Sequence, residues 1–132
     1  MKLIVLLTLL FPIAASAAGA STCSAETSHA GQRACLVSAF EKVGSQLARV
    51  ETESLERIAH WDEEPEYRAR SKKALVSSNA AFRKYRTSQC GLMHSLAAGG
   101  NGATDMQLEC SIELTTQRIS QLENSVLRLE RR

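Results

Sequence analysis

The sequence predicts an all-α fold, a small antiparallel three-helix bundle that is stapled by two disulfides and preceded by a cleaved signal peptide. Apolar residues recur at steps of three and four in three separate segments, which is the period of an amphipathic helix. The 132 residues include only two prolines and seven glycines, too few for the frequent turns of a sandwich or barrel. Four cysteines follow an N-terminal segment that is typical of exported proteins.

The N-terminal segment has the pattern of a secretory signal peptide. A positive start precedes an apolar run of about eleven residues and a stretch of small residues, where we predict cleavage after Ala17, with Ala18 or Ala20 as alternatives. A membrane-spanning helix needs about twenty apolar residues, so this run is too short for an anchor. The sequence therefore predicts a signal peptide at residues 1–17 and one periplasmic or secreted domain at residues 18–132, without membrane insertion.

The first two helices are predicted on either side of an acidic turn. From Leu36 to Trp61, apolar residues form one helical face, and charged residues lie mostly off that face. Asp62–Glu64 interrupts the pattern, and Pro65 suits the first turn of a second helix that runs to about Cys90. We expect the inner stripe of this second helix to comprise Leu75, Asn79 or Ser78, Phe82, Tyr85 or Arg86, and Gln89.

A glycine-rich segment, Gly91–Thr104, is predicted as the longest loop. It contains four glycines, three of them at Gly99, Gly100 and Gly102, so regular helix is improbable across its second half. Thr104 and Asp105 then offer side chains that cap helix N-termini. A third helix follows, with an apolar stripe that continues to Leu129. Three such stripes are buried together when two long helices form a hairpin and the third packs beside them.

The four cysteines are expected to form two disulfides, because an even number in an exported chain is typical of a structural framework. Two antiparallel helices of similar length bring Cys35 and Cys90 to the same end of the bundle, with Cys23 and Cys110 nearby. We favour the pairs Cys23–Cys35 and Cys90–Cys110, while pairing Cys35 with Cys90 or with Cys110 stays an alternative. The spacings of 12, 55 and 20 residues lack the close pairs of metal sites, so we expect no metal and no other cofactor.

With this cysteine frame, the chain resembles the LprI-like lysozyme-inhibitor domain of exported bacterial proteins. The resemblance covers nearly all of the predicted mature chain. It rests on the following motifs, in order and at matching spacing: Cys23–Ser28, Cys35, Phe40, Leu47, Ala80–Arg86, Cys90, Gly99–Gly100, Cys110, Leu114–Arg118 and Leu122. The resemblance implies a helical exported domain, and a founding member of the family inhibits lysozyme.

The chain departs from the family pattern mainly in the first helix. Where the family tends to carry an aspartate, an asparagine and a tyrosine, this chain has Gly44, Ala48 and Glu51. In the second helix, Phe82 replaces the family's usual tryptophan. The polar family positions organise contacts between helices, so the departures bear on function more than on the fold.

The motif residues of the second and third helices are predicted to be structural rather than to contact a partner. They are Phe82, Tyr85, Arg86, Thr115, Arg118 and Leu122. We expect the ring of Tyr85 to pack inward and Arg86 to pair with a carboxylate near the disulfide end. The guanidinium of Arg118 is expected to reach a neighbouring helix.

Two surfaces are candidates for binding a partner. The first is an acidic corner that consists of Trp61, Asp62, Glu63 and Glu64. This corner suits a cationic surface such as that of a lysozyme, because opposite charges speed association and tryptophan is favoured at interfaces. The alternative is a solvated turn in which the ring of Trp61 closes the core. The second lies in the glycine-rich segment and consists of His94, Gly99, Gly100 and Asn101. It suits insertion into a cleft if a disulfide holds it rigid, and the alternative is a flexible connector.

The sequence favours a protein-binding domain over other function classes. A formal charge of +2, or +1 after cleavage, lacks the basic excess of a nucleic-acid binder. No catalytic motif is present and the cysteines are expected to be oxidised, so we predict no enzyme activity. The favoured function is a lysozyme inhibitor that occludes the cleft of the enzyme. The alternative is a structural or stress-related module of the cell envelope with a different protein partner; the oligomeric state is not predicted.

Overall fold

The structure is a computed structural model that describes residues 23–130, and in this range it has three helices and no strands. They are α1 (His29–Ala59), α2 (Pro65–Leu96) and α3 (Ala103–Ser125). Each helix runs antiparallel to the one before it, and α3 contacts α1 and α2 more extensively than these two contact each other. The all-α disulfide-stapled bundle is therefore confirmed, whereas the predicted signal peptide lies outside the described residues.

Helix α1 begins seven residues before the predicted start at Leu36. Ser28 has an extended backbone, and its Oγ accepts a hydrogen bond from the backbone N–H of Gly31 at 3.0 Å. Such a cap satisfies one of the free N–H groups at a helix start. The prediction was too short because the residues between the cap and Leu36 carry no apolar stripe, and periodicity alone does not detect them.

Helix α2 extends beyond the predicted end at Cys90 and includes the first part of the glycine-rich segment. Gly91 lies within the helix, which ends at Leu96. The connection is a short turn at residues 97–102, the glycine turn, in which Ala98 and Gly99 have positive φ angles of 50° and 77°. The predicted loop thus begins too early, because one glycine inside a long helix weakens it without ending it. Its second half is non-helical at residues 97–102, as predicted.

The start of α3 also differs from the prediction. Gly102 occupies the N-cap position without a side-chain bond, so neither Thr104 nor Asp105 caps the helix. Asp105 is instead buried, and its carboxylate forms an ion pair with Arg33 of α1. This ion pair offsets the free-energy cost of burying the charge. The helix ends at Ser125, short of Leu129, and the following turn folds back against the end of α1.

The hydrophobic core runs along the middle and the acidic end of the bundle. Its buried members come from all three helices: Leu47, Val50, Ile58, Leu75, Ile119 and Leu122. The chain after α3 adds to it with partly buried residues at Val126, Leu127 and Leu129. The predicted apolar stripes are therefore the faces that the helices bury.

Both disulfides lie at the opposite end and have the favoured pairing. Cys23–Cys35 ties the leading segment to α1, and Cys90–Cys110 ties α2 to α3 across the glycine turn. Both pairs have Cα–Cα distances of 5.5–5.8 Å, within the usual range for a disulfide. The alternative pairings of Cys35 with Cys90 or Cys110 are thus not the ones in the structure.

Candidate partner-binding surfaces

The acidic corner is a fixed turn rather than a loose connector. Arg68, one turn into α2, donates hydrogen bonds to the backbone oxygens of Trp61 and Glu63 at 3.3 and 2.9 Å. The backbone N–H of Asp62 donates to the oxygen of Glu130 at 3.2 Å, which joins the corner to the end of the described chain. The side chains of Asp62, Glu63 and Glu64 are exposed, and that of Trp61 is half-buried.

The acidic surface continues from this corner onto the last turns of α1. A cavity of about 350 Å³ beside the corner is lined by Glu53, Glu56, Arg57, His60 and Leu127. Arg57 is held in the wall of the cavity because its Nη1 donates to the oxygen of Leu129 at 3.2 Å. Glu53 and Glu56 were not identified from the sequence as part of this surface. They line a cavity only because the fold brings the chain after α3 alongside α1.

The glycine turn is held rigidly at the other end of the molecule. The backbone N–H of Gly100 donates to the oxygen of Ala97 at 2.9 Å, and Arg33 Nη2 of α1 donates to the oxygen of Asn101 at 3.1 Å. Arg33 and His29 also pair with the buried carboxylate of Asp105, which fixes α3 to α1 directly behind the turn. The turn is exposed, and the Cys90–Cys110 disulfide joins the two helices on either side of it.

The two candidate surfaces lie at opposite ends of the bundle. Helix α2 begins at the acidic corner and ends at the glycine turn, and its 32 residues span about 48 Å. His94, in the last turn of α2, lies with Gly99, Gly100 and Asn101 at the glycine end and is exposed. One copy of the chain therefore presents its two candidate surfaces to opposite sides.

A polar layer crosses the middle of the bundle between these ends. Glu51 of α1 is 8% exposed and forms an ion pair with Arg83 of α2. Arg86 Nη1 of α2 donates to Thr115 Oγ1 of α3 at 2.8 Å, and its guanidinium lies over the rings of Phe40 and Phe82 at 5.6–5.7 Å. The prediction that Arg86 pairs directly with a carboxylate is thus wrong: Arg86 binds the hydroxyl of Thr115, and the carboxylate of Glu51 pairs with Arg83.

Arg118 completes the polar layer from α3, as predicted. Its Nη2 donates to Ser78 Oγ at 2.9 Å and to Asn79 Oδ1 at 2.8 Å, both on α2. Burial lowers the pKa of Arg118 and of Arg86, the charge of Arg83 lowers both further, and the carboxylate of Glu51 opposes these effects. The layer therefore holds three guanidinium groups around one carboxylate, and its contacts link the helices to one another.

Tyr85 faces solvent, contrary to the prediction that its ring packs inward. Its side chain is 54% exposed, while Arg86 occupies the inner position. The inner stripe of α2 follows Leu75, Asn79, Phe82 and Arg86, and a residue one position before Arg86 lies about 100° away around the helix. The choices left open in the sequence are thus settled as Asn79 rather than Ser78 and Arg86 rather than Tyr85.

Neither a membrane span nor a metal site is found in the described part of the chain. Among residues 23–130, no helix combines the length and the apolar character that crossing a bilayer requires. In the same range, histidine, cysteine, aspartate and glutamate side chains do not gather in groups of three that could hold a metal ion.

The sequence model of the family described as lysozyme inhibitor LprI matches residues 22–122. The chain belongs to the LprI lysozyme inhibitor family. The matched range includes both disulfides, the polar layer and the glycine turn. No curated protein and no solved structure matches the chain.

Membership of the LprI family associates the chain with proteins that inhibit an enzyme rather than catalyse a reaction, and with a protein partner. Proteins of this family are exported, and two disulfides are typical of an oxidising compartment. Glu51, one of the three residues expected from the sequence to depart from the family pattern, supplies the carboxylate of the polar layer.

Proposed function

We propose that this protein is a periplasmic or secreted lysozyme inhibitor that binds the enzyme and occludes its substrate cleft. The observation that carries the proposal is the LprI family match over residues 22–122. In this proposal residues 1–17 are a signal peptide, and the exported domain begins at residue 18. The stable bundle acts as a scaffold that presents one of its ends to the enzyme.

The glycine turn is the surface that we assign to the cleft. It projects from the end of the bundle, and the Cys90–Cys110 disulfide and the hydrogen bond from Arg33 to Asn101 hold it in place. A loop that is already ordered loses little conformational entropy on binding, so more of its contact energy becomes affinity. Its exposed residues at 98–102 are small or uncharged and fit a narrow groove.

The acidic corner is the second candidate surface, and electrostatics favours it. Asp62, Glu63 and Glu64 are exposed side by side. Arg57 lines the neighbouring cavity with Glu53 and Glu56, and Arg49 pairs with Glu53, so the negative charge is concentrated at the three residues of the corner. Such a surface attracts a cationic enzyme, and the attraction weakens as salt screens it. Binding through the corner therefore predicts inhibition that falls steeply with ionic strength, whereas binding through the uncharged turn predicts a weak dependence.

A lysis assay with several lysozyme types and the purified, oxidised protein tests the proposal. Asn101→Trp adds bulk to the glycine turn and leaves the backbone contact to Arg33 in place, so we expect at least a tenfold loss of potency, about 1.4 kcal/mol. Ala80→Trp is the matched control, because it adds the same side chain at an exposed position in the middle of α2. Trp61→Ala tests the acidic corner in the same assay.

The outcomes separate the candidates. No inhibition of any lysozyme at a large molar excess contradicts the proposed function and favours a cell-envelope module with a different protein partner. Inhibition that survives Asn101→Trp but is lost with Trp61→Ala moves the contact to the acidic corner. Inhibition that survives both substitutions removes both surfaces and leaves the long sides of the bundle.

A further inference from the structure

Helix α2 carries a line of uncharged residues along its whole length on a face that the bundle leaves open. The α2 strip consists of Tyr67, Ser71, Ala74, Ser78, Ala81, Tyr85, Gln89, Leu92 and Leu96. Successive members are three or four residues apart, which places them on one side of a helix. Every charged residue of α2 falls off this line, although the helix contains eight aspartate, glutamate, lysine or arginine residues.

The largest members of the α2 strip are exposed. The exposed fractions are 51% for Tyr67, 54% for Tyr85, 51% for Leu92 and 65% for Leu96. These four account for most of the exposed large hydrophobic residues of the described chain. Tyrosine is enriched and charge is depleted in the buried centres of protein interfaces, and the strip has both features.

Helix α3 borders the α2 strip and adds mostly uncharged residues beside it, with Arg118 at the contact between the two helices. Arg118 of α3 donates to Ser78, a member of the strip, so this side of α2 is the side next to α3. The α3 positions three, four, seven and eleven residues from Arg118 share its side of the helix. Within α3, the members of this line that are not buried are Gln107, Ser111, Leu114, Gln121 and Ser125, and none of these five is charged.

We propose that the α2 strip is a docking surface for a second copy of this chain, which pairs with it antiparallel, helix against helix. The strip members themselves are uncharged, although Arg70 lies over the ring of Tyr67 at 5.6 Å and Arg118 reaches Ser78 from α3. Pairing the strip with its own copy therefore brings no two like-charged strip residues together. The regular three- and four-residue steps are those of the contact lines by which helices pack together. A two-fold axis pairs the same patch on both copies, as most homodimers do.

In the inner part of the strip, the antiparallel arrangement brings large side chains opposite small ones, and at its ends it pairs large side chains with each other. With the two-fold axis beside Ala81, Tyr85 of one copy faces Ser78 of the second, and Leu92 faces Ser71. At each end of the strip, Tyr67 of one copy meets Leu96 of the other. Alternation of large and small residues across facing positions is what allows two surfaces to interlock.

The size of the strip suits a reversible dimer. From Tyr67 to Leu96 the helix rises about 44 Å, and with a width of about one helix it buries on the order of 500 Å² on each copy. The total of about 1,000 Å² is at the lower limit of specific interfaces. We therefore expect a dimer whose population rises with protein concentration.

Sedimentation equilibrium of the oxidised protein over a wide concentration range tests the proposal. We expect the mass to rise from monomer to dimer, and Tyr85→Asp to weaken the dimer by at least about tenfold because it buries a charge in the strip. Val76→Asp is the matched control: Val76 is 57% exposed on the same helix but points away from the strip. A wild-type protein that stays monomeric, or two variants that dimerise equally well, overturns the proposal.

Cysteine crosslinking tests the orientation and does not depend on function. In the antiparallel dimer the two copies of Ala81 lie close together, whereas the two copies of Leu96 lie at opposite ends. Ala81→Cys should therefore form a covalent dimer under mild oxidation, and Leu96→Cys should not. Crosslinking of both variants would indicate parallel pairing and overturn the arrangement; crosslinking of neither would overturn the interface.

Discussion

Glu51 is the residue that allows three arginines to share the middle of this small bundle. Its carboxylate is nearly inaccessible and pairs with Arg83, and it also stabilises the charges of Arg86 and Arg118 at longer range. Burial alone lowers the pKa of both guanidinium groups, so each is held in a medium that disfavours its charge. Removing the single negative charge should therefore cost more than one surface ion pair is worth.

Glu51→Gln should lower the free energy of unfolding by about 1–3 kcal/mol, measured by urea denaturation of the oxidised protein. Loss of one partner of a fully buried pair costs about 3–5 kcal/mol, and the half-exposed side chain of Arg83 reduces this cost. Glu53→Gln is the control, since Glu53 lies 4.0 Å from Arg49 in an exposed pair and should cost less than about 0.5 kcal/mol. Equal losses in the two variants would show that the polar layer does not depend on its carboxylate.

The choice between Tyr85 and Arg86 for the inner stripe of α2 could not be made from the periodicity of the sequence. The sequence pattern left Tyr85 and Arg86 as equal choices for the inner stripe, and chemistry favoured the aromatic ring. The structure places Arg86 inside because Thr115 offers it a hydrogen-bond acceptor and two phenylalanine rings stack against its guanidinium. No rule based on the sequence of one helix reveals such partners, since they come from the other two helices.

At the scale of the helix, the start of α1 depends on one side chain. Ser28→Ala removes the hydrogen bond to Gly31 and should lower the free energy of unfolding by about 1 kcal/mol, detected as a lower melting temperature. Ser38→Ala, at an exposed position inside α1, is the control and should be neutral or slightly stabilising, because alanine favours helix interiors. A Ser28→Ala variant as stable as the wild type would indicate that α1 begins later than His29.

Helix order and helix faces were predictable, whereas several helix ends were not. Apolar residues at helical spacing predicted the buried faces that contain Leu47, Leu75 and Ile119, and the antiparallel order followed from Pro65. The same order predicted that all four cysteines lie at one end of the bundle, but this left the pairing open, and the structure has the favoured pairs. Gly91 and Asp105 misled the prediction because each is common at helix ends in general, while here one lies inside α2 and the other pairs with α1.

At the scale of the whole molecule, the antiparallel dimer would bring the glycine turn of one copy close to the acidic corner of the other. A single chain holds its glycine turn and its acidic corner at opposite ends of α2, about 48 Å apart. When two copies pair along the α2 strip in opposite directions, the glycine turn of one lies beside the acidic corner of the other. Each end of the dimer then presents an uncharged projection for a cleft next to a negative surface that attracts a cationic enzyme.

This combination predicts that lysozyme inhibition depends on dimer formation, provided that the protein is a lysozyme inhibitor. Tyr85→Asp should reduce potency in the lysis assay by about tenfold or more at concentrations where the wild type is dimeric, because the monomer presents only one surface to each enzyme. Val76→Asp carries the same charge on the opposite side of α2 and should retain full potency.

Measuring potency over a range of protein concentrations shows whether Tyr85→Asp acts through the dimer or through direct contact with the enzyme. If the dimer is responsible, the wild type should lose potency on dilution below its dimer dissociation constant and converge on the variant. If Tyr85 itself touches the enzyme, the difference between them should persist at every dilution. A Tyr85→Asp variant that is monomeric by sedimentation and yet fully inhibitory would show that one end of one copy is sufficient, and that the acidic corner and the glycine turn act separately.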